Sequence, residues 1–348
     1  MGLQSTLLRA LAAAPFLAIT YFCHKTIDID KLLANELPFR ETGTIAWDGG
    51  SVAILPRFHP APLRFLDELF YGTVGTFSPS TFGYDSISWW QTFTFLMDLG
   101  PLYAVFMIES CRAGNAFRAA YIPTVFLTAA QILTAGVVAP ICFFLNLVFG
   151  PTASELVKSP SRRSINNKYL AFYLPLLLAL HTAEILAMFL APDFNTRHYW
   201  TYAWQMTPLW LGIATFVTAN IVPESLCASI PSSPRFILAL VAQTTAGAWV
   251  YMLARSPYSL AELYVPDFTP SDSFVLHTRL VLQTDQVCTF GAAALWLVYS
   301  FLDLAISGLV TAADWAVLGG LLSTGVVLGP GSAFALGWLW RETKLKSS

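Results

Sequence analysis

The chain has 348 residues, of which 55% are hydrophobic and only 11% are charged. Soluble domains carry about 25% charged residues, so this chain has too little charge to cover a water-facing surface. A net charge of −2 excludes the basic field that nucleic acid requires. The five cysteines include no C-x-x-C pair, and their odd number excludes a complete disulfide set.

Apolar runs that are long enough to cross a bilayer recur along the whole sequence. A spanning helix needs about 20 mostly apolar residues, and the runs predict an all-α, polytopic transmembrane helical bundle of about eight spans. The predicted spans are residues 4–22, 88–110, 120–148, 168–191, 199–222, 234–254, 276–305 and 313–338. The first run resembles a signal-peptide core, but no small-x-small site follows it, so we expect it to be retained.

The longest stretch without a predicted span is 24–87, which is rich in charged and turn-forming residues. We expect it to be an extramembrane loop, with a short amphipathic helix near 62–71 lying on the membrane or capping the bundle. No separate domain is predicted, so 1–348 forms one integral membrane domain. Many transporters contain internal repeats with a matched pair of broken helices. The sequence shows neither feature.

Acidic residues within predicted spans are the first candidates for a functional site, because charge is costly in the bilayer. Asp98 and Glu109 are eleven residues apart on one predicted helix, so both point to one face. Arg112 lies one turn after Glu109 and is close enough to pair with it. These residues form either a polar cluster at a cavity mouth or a solvated helix end. Asp285 is either a buried, protonated acid or an interfacial carboxylate.

Amide and aromatic side chains provide further candidates. Gln131 and Gln205 lie within predicted spans, where amides mostly form hydrogen bonds with neighbouring helices. Trp200 and Trp204 are one turn apart, with Tyr202 between them. Such rings either face lipid or form the wall of a cavity that stabilises a cation.

Motifs for bound metals, nucleotides and nucleophiles are absent from the sequence. His181 and Glu184 lie one turn apart, but no second such pair exists, so no metal site is predicted. The sequence contains no P-loop, G-x-G-x-x-G, H-E-x-x-H, G-x-S-x-G or D-D-x-x-D motif. We therefore expect no cofactor.

The order of five segments resembles one known family. These are IESCRAGN (108–115), VVAPICFFL (137–145), SINNKYLAFYLPLLLALH (164–181), YAWQMTPLW (202–210) and LVLQTDQVCTFGAAALW (280–296). The order is similar to that of the integral-membrane terpene cyclases of fungal meroterpenoid and indole-diterpene gene clusters, of the ascofuranone-pathway type. The resemblance covers most of residues 88–300. Thr284 departs from the family pattern, which has an aromatic residue before the aspartate.

The resemblance implies an acid-initiated, metal-independent terpene cyclase, an intramolecular isomerase or lyase of secondary metabolism. Its substrate would be a lipophilic prenylated small molecule, with an epoxidised or olefinic chain that closes into rings through carbocations, with no redox change. The implied catalytic residues are Asp285, Glu109 and Asp98. The implied substrate-binding residues are Arg112, Gln131, Gln205, Trp200, Tyr202 and Trp204.

The same resemblance implies a location in the endoplasmic reticulum membrane. The expected partners are the lipid bilayer and the prenylated substrate, with transient contact with a prenyltransferase or epoxidase and no nucleic acid. Two other functions stay open. The chain could be a transporter of a lipophilic metabolite that uses the same acids for proton coupling, or a non-catalytic membrane scaffold of a pathway. The lack of repeats counts against the transporter, and the short loops count against the scaffold.

Overall fold

The computed structural model describes residues 3–346. The α-helices are Leu3–Ala12, Ala14–Ile27, Ile29–Thr42, Arg64–Phe70, Thr73–Thr76, Ser78–Thr81, Ser86–Ser110, Pro123–Leu133, Ala135–Phe149, Ala153–Lys158, Pro160–Arg163, Tyr173–Leu177, Ala183–Leu190, Phe194–Gln205, Thr207–Ile221, Glu224–Ser229, Pro234–Arg255, Leu260–Tyr264, Phe274–Ile306, Ala312–Leu328 and Pro330–Lys346. The 3-10 helices are Ala61–Leu63, Ala113–Asn115, Ala119–Tyr121 and Asn167–Leu170, and Leu178–Thr182 is a π-helix. The strands Thr44–Trp47 and Gly50–Ala53 form an antiparallel hairpin in which Thr44 pairs with Ala53.

The structure confirms a mostly helical protein but does not support eight spans. Four helices are long and apolar enough to cross a membrane: Ser86–Ser110, Asn167–Leu190, Pro234–Arg255 and Phe274–Ile306. A fifth span results if the bent pair Thr6–Ala12 and Ala14–Thr42 counts as one. The other predicted spans are divided into shorter helices, because apolar composition does not require a continuous backbone helix.

The predicted spans 120–148 and 313–338 are each interrupted by one residue with an unusual backbone. Thr134 has φ 71° and ψ 152°, and Gly329 has φ 90° and ψ 146°. This region of backbone space is essentially restricted to glycine, so Thr134 is strained. We call Pro123–Leu133 with Ala135–Phe149 the first broken helix, and Ala312–Leu328 with Pro330–Lys346 the second. The two breaks were not predicted from the sequence.

The predicted loop 24–87 begins as helix. The chain bends by 44° at Ala13 and continues as helix, apart from Asp28, to Thr42. Asp28 has φ 48°, and its side chain accepts a hydrogen bond from the Lys31 N–H, which restarts the helix. The hairpin follows, and then the helix Arg64–Phe70, in the region where an amphipathic helix is predicted.

Ser86–Ser110 is the central helix of the bundle. Within its apolar window 94% of residues are buried inside the protein, against 44% for Pro234–Arg255. We call Ser86–Ser110 the Asp98 helix and Phe274–Ile306 the Asp285 helix. Each long helix packs beside a broken helix, so their aspartates lie beside the two breaks.

Candidate functional site

A cavity of about 710 Å³ lies beside the first broken helix and is the candidate site. Its size is typical of small-molecule sites, which occupy about 300–1,000 Å³. The walls come from Ile29–Thr42, the Asp98 helix, the first broken helix and the Asp285 helix. Apolar side chains form most of the walls, and a few polar groups stand among them. We call it the Asp285 cavity.

Asp285 lies where the first broken helix restarts. The Gly136 N–H donates a hydrogen bond to Oδ1 of Asp285, and the Thr289 hydroxyl lies 3.5 Å from the same oxygen. The first N–H groups of a helix have no partner within it, and that end carries partial positive charge. The break therefore creates a site for a carboxylate. Asp285 is 6% exposed and lines the cavity.

The close approach of Asp285 requires glycine at position 136. A Cβ atom at Gly136 would lie 2.8 Å from the Asp285 backbone oxygen and 2.8 Å from the Cys23 sulfur. Contacts of that length force atoms to shift. The local sequence Thr134-Ala135-Gly136 thus supplies both the break and the space for the carboxylate.

Tyr103 and Gln131 form a second polar group in the Asp285 cavity. The Gln131 side-chain nitrogen donates to the Tyr103 hydroxyl at 3.2 Å. Because that oxygen already accepts from Gln131, its own O–H hydrogen is left to donate to a bound molecule. Gln131 lies one turn before the break, and the Tyr103–Gln131 pair lines the same cavity as Asp285.

Glu36 and Arg40 line the cavity on Ile29–Thr42. Arg40 Nη2 lies 3.5 Å from Glu36 Oε2, and the Thr76 hydroxyl lies 3.4 Å from Oε1 of the same carboxylate. The lining face of this helix runs from Ile29 to Arg40, a distance of about 17 Å at 1.5 Å per residue. The Asp285 cavity is therefore long enough for an extended apolar molecule.

Trp204 adds an unused donor to the cavity wall. Its side chain is 3% exposed, and its indole N–H has no hydrogen-bond partner among residues 3–346. The Phe77 ring packs against it edge-on, with centroids 5.7 Å apart. A buried donor without a partner costs free energy.

Asp98 has an equivalent arrangement at the second break. The Trp249 indole N–H donates to Oδ2 at 2.7 Å, and the Gly331 N–H donates to Oδ1 at 2.9 Å. Each aspartate thus accepts a hydrogen bond from the second residue after a break. The first broken helix, which follows the Asp98 helix in the chain, donates to Asp285, and the second, which follows the Asp285 helix, donates to Asp98. Asp98 is 0% exposed and does not line the Asp285 cavity.

Glu109 and Arg112 lie in a separate cluster of buried charges. Arg112 Nε donates to Glu109 Oε2 at 2.9 Å, and its Nη2 donates to Glu342 at 2.6 Å. Arg341 lies 3.1 Å from Glu109 and 3.0 Å from Glu342. Burial alone would lower the pKa of Arg112, but the two carboxylates raise it above its usual value, so the guanidinium stays charged. This cluster anchors the C-terminal helix and is not part of the Asp285 cavity.

The remaining sequence-predicted binding residues are divided between two packing regions. Tyr202 is fully buried, and its ring stacks on Phe58 with centroids 5.6 Å apart. Gln205 is 1% exposed, and neither of its amide atoms has a partner in the described part of the chain. Trp200 is half-buried against the main core. Of the predicted site residues, the structure brings Asp285, Gln131 and Trp204 together in one cavity.

Sequence reasoning missed Tyr103 and Glu36, which line the cavity, and Gly136, which contacts Asp285. Tyr103 is one aromatic residue among many in an apolar helix, and nothing in the sequence distinguishes it. Gly136 gives no signal until a break at position 134 is known. Glu36 follows Ile29, Leu32 and Leu33 at helical spacing, and that pattern could have identified a lining face within the predicted loop.

No metal centre is found within the described residues, since no three His, Cys, Asp or Glu side chains are placed to share an ion.

Comparison with known proteins identifies the family of this chain. Residues 56–345 match the CtvD domain. The chain belongs to the CtvD domain family. No solved structure matches it.

Curated relatives of this CtvD-domain chain come from fungal species. It is 30% identical over 364 residues to the FAD-dependent monooxygenase verC1 of Penicillium polonicum, covering 98% of this chain and 43% of verC1. It is 26% identical over 268 residues to the FAD-dependent monooxygenase anuJ of Penicillium roqueforti, covering 74% of this chain and 32% of anuJ. It is 29% identical over 262 residues to the FAD-dependent monooxygenase BOA8 of Botryotinia fuckeliana, covering 70% and 32%. The chain spans less than half the length of these relatives.

These names contradict the predicted activity. All three relatives are named for an oxidation, whereas the sequence predicted a terpene cyclase that works as an isomerase or lyase without redox change. The prediction of a terpene cyclase is therefore corrected. The relatedness to proteins of fungal secondary-metabolite clusters agrees with the resemblance.

Proposed function

We propose that this chain binds a lipophilic metabolite in the Asp285 cavity and holds it for an oxidation step of fungal secondary metabolism. The observation that carries this proposal is the cavity itself, about 710 Å³ of mostly apolar space within a helical bundle. The names of the relatives supply the reaction class, because each is a monooxygenase. Several helices long and apolar enough to span a membrane support a membrane location, and we propose the endoplasmic reticulum.

The polar groups of the cavity suggest how a substrate is oriented. Asp285 and the Tyr103–Gln131 pair would hold a hydroxyl or carbonyl group at one end. The Trp204 ring would form part of the wall along the substrate. Most of the remaining lining is apolar, which favours a prenyl chain. We therefore propose a prenylated aromatic compound as the substrate class.

The described residues do not fit the FAD that the relatives' names imply. The cavity carries the carboxylates of Glu36, Glu68 and Asp285, whereas its Arg40 is already beside Glu36, so a pyrophosphate would be repelled. Helix N-termini can bind phosphate, but at the two breaks aspartates occupy them. The sheet in residues 3–346 is a two-stranded hairpin and lacks the parallel strands of a dinucleotide-binding fold. We place the flavin of the proposed oxidation outside these residues.

In the proposed oxidation, the flavoprotein and this chain have separate roles. Monooxygenation places one atom of O₂ in the substrate and reduces the other to water, with two electrons from a nicotinamide reductant. A flavoprotein would supply that chemistry. This chain would bind the substrate, orient its oxygen-bearing end through Asp285, and exclude water with its apolar walls.

The test combines the chain with a fungal FAD-dependent monooxygenase in microsomes that otherwise lack both. A prenylated aromatic compound and NADPH are added, and products are identified by mass spectrometry. We expect a product heavier by one oxygen atom, formed faster when both proteins are present. The Asp285→Asn variant is expected to lose this enhancement.

Asp303→Asn is the matched control, because Asp303 lies on the same helix and accepts a hydrogen bond from the Ala153 N–H at 2.6 Å, outside the cavity. It should retain the enhancement. A product of unchanged mass, or an oxidation rate that does not depend on this chain, would contradict the proposal.

A further inference from the structure

A second cavity, of about 420 Å³, lies beside the second broken helix. Its walls come from the Asp285 helix, the two halves of the second broken helix, and the rings of Trp249 and Tyr264. These two rings stack with centroids 5.0 Å apart. We call it the Gly329 cavity.

The Gly329 cavity repeats the backbone arrangement of the Asp285 cavity. In each case a helix breaks at a residue with φ between 71° and 90°, and the next half begins against a buried aspartate. A Cβ atom at Gly331 would lie 2.5 Å from the Asp98 backbone oxygen, much as Gly136 lies against Asp285. The structure thus contains two cavities beside a helix break with a buried aspartate, and the proposed function assigns a ligand to only one of them.

The ligand chemistry differs between the two cavities. In the Gly329 cavity the Trp249 indole N–H is bonded to Asp98 at 2.7 Å, and the Tyr264 hydroxyl to Thr94 at 2.8 Å. The Gln286 side-chain oxygen accepts from Gln91 at 2.8 Å. These polar groups already have partners, and the rest of the lining is aliphatic or aromatic. The cavity therefore fits a hydrocarbon chain.

The rim of the cavity indicates where that chain comes from. Val287 and Val326 line it and are 46% and 56% exposed. Val287 lies on the Asp285 helix, which is long and apolar enough to span a membrane. An exposed apolar rim on such a helix faces the hydrocarbon of the bilayer.

We propose that the Gly329 cavity is a lipid site that holds one acyl chain of a membrane phospholipid. Bilayer lipid supplies this chemistry in large excess beside the opening. An occupied cavity also restores the contacts that an empty one would lose. The inference does not depend on the reaction proposed for the Asp285 cavity.

The test compares two glycines of Ala312–Leu328. Gly325 lines the cavity, and a Cβ atom there would meet only ordinary contacts, the nearest being 3.5 Å from Ala333. Gly320 has nothing within 4 Å of such an atom and does not line the cavity. Gly325→Leu should therefore fill the cavity, whereas Gly320→Leu adds the same side chain elsewhere on the helix.

The measurement is native mass spectrometry of the full chain in detergent with added phosphatidylcholine. We expect the parent chain and Gly320→Leu to retain one phospholipid, and Gly325→Leu to lose it while unfolding at an unchanged temperature. A photoreactive acyl chain should label Val287 and Val326 in the parent chain, and this labelling should be lost in Gly325→Leu. If Gly325→Leu destabilises the protein, Ala294→Leu fills the same cavity from the opposite helix and should give the same loss.

Equal lipid retention in the parent chain and both filling variants would overturn the proposal. So would displacement of the bound lipid by a prenylated aromatic compound at concentrations that occupy the Asp285 cavity, because the occupant would then be a metabolite.

Discussion

Glu109→Gln tests whether the buried charge cluster stabilises the C-terminal helix. Glu109 accepts two hydrogen bonds from Arg112 and one each from Asn115, Trp338 and Arg341. The glutamine has the same shape, but one of its two terminal atoms donates instead of accepting. That atom would face groups that also donate.

The charge balance gives the magnitude. Two carboxylates, Glu109 and Glu342, face two guanidinium groups, Arg112 and Arg341, so the cluster is neutral. Glu109→Gln leaves a net buried positive charge. Removing one partner of a buried ion pair costs about 3–5 kcal/mol, so we expect a loss of that size in the free energy of unfolding.

The assay is thermal and denaturant unfolding in detergent, followed by circular dichroism. Asp272→Asn is the control, since Asp272 is fully exposed and lies 3.8 Å from Lys31. Such surface pairs contribute little to stability. The double variant Glu109→Gln/Arg341→Gln restores neutrality, and we expect it to lose less stability than the two single variants added together. A Glu109→Gln protein as stable as its parent would refute the reasoning.

Two further predictions concern the break and pH. Gly331→Ala should lower the free energy of unfolding by about 1–3 kcal/mol, because the added methyl group overpacks against Asp98. Gly320→Ala, which adds the same group in open space, should leave the free energy of unfolding unchanged or raise it by about 0.5–1 kcal/mol. Equal effects of the two substitutions in denaturant unfolding would contradict this prediction. Burial lowers the pKa of His198 from 6.5 to about 4, so the unfolded chain binds more protons between these values. Stability should therefore be complete above pH 6.5 and fall by about 3 kcal/mol as the pH drops to 4, and His198→Gln should flatten that part of the unfolding curve.

Composition was sufficient to predict the helical class, because lipid-compatible runs must satisfy their backbone groups within a helix. It was not sufficient for the number of spans. Thr134 lies within the apolar run 120–148, and Gly329 lies within another, so neither break alters the hydropathy that the prediction used. At each break a neighbouring helix supplies an acceptor for a freed N–H group, Asp285 at the first and Asp98 at the second.

The candidate site shows the same limit. Asp285 was identifiable because a carboxylate within an apolar run is costly and needs a reason. Its companions were not, because Gly136 contacts it from 149 positions away along the chain. Glu109 was paired correctly with Arg112, three residues on, but its bonds to Trp338 and Arg341 join residues more than 200 positions apart. Sequence spacing reports local pairs, whereas tertiary packing decides which polar groups share a cavity.

The proposed function requires that the Asp285 cavity binds the lipophilic substrate. Its most direct test is the dissociation constant of a prenylated aromatic compound for the chain in lipid nanodiscs, measured by equilibrium binding. We expect Asp285→Asn to weaken binding by about tenfold, the effect of losing about 1.4 kcal/mol of hydrogen bonding, and Asp303→Asn to leave it unchanged. Equal affinities for the parent chain and Asp285→Asn would show that Asp285 does not bind the substrate.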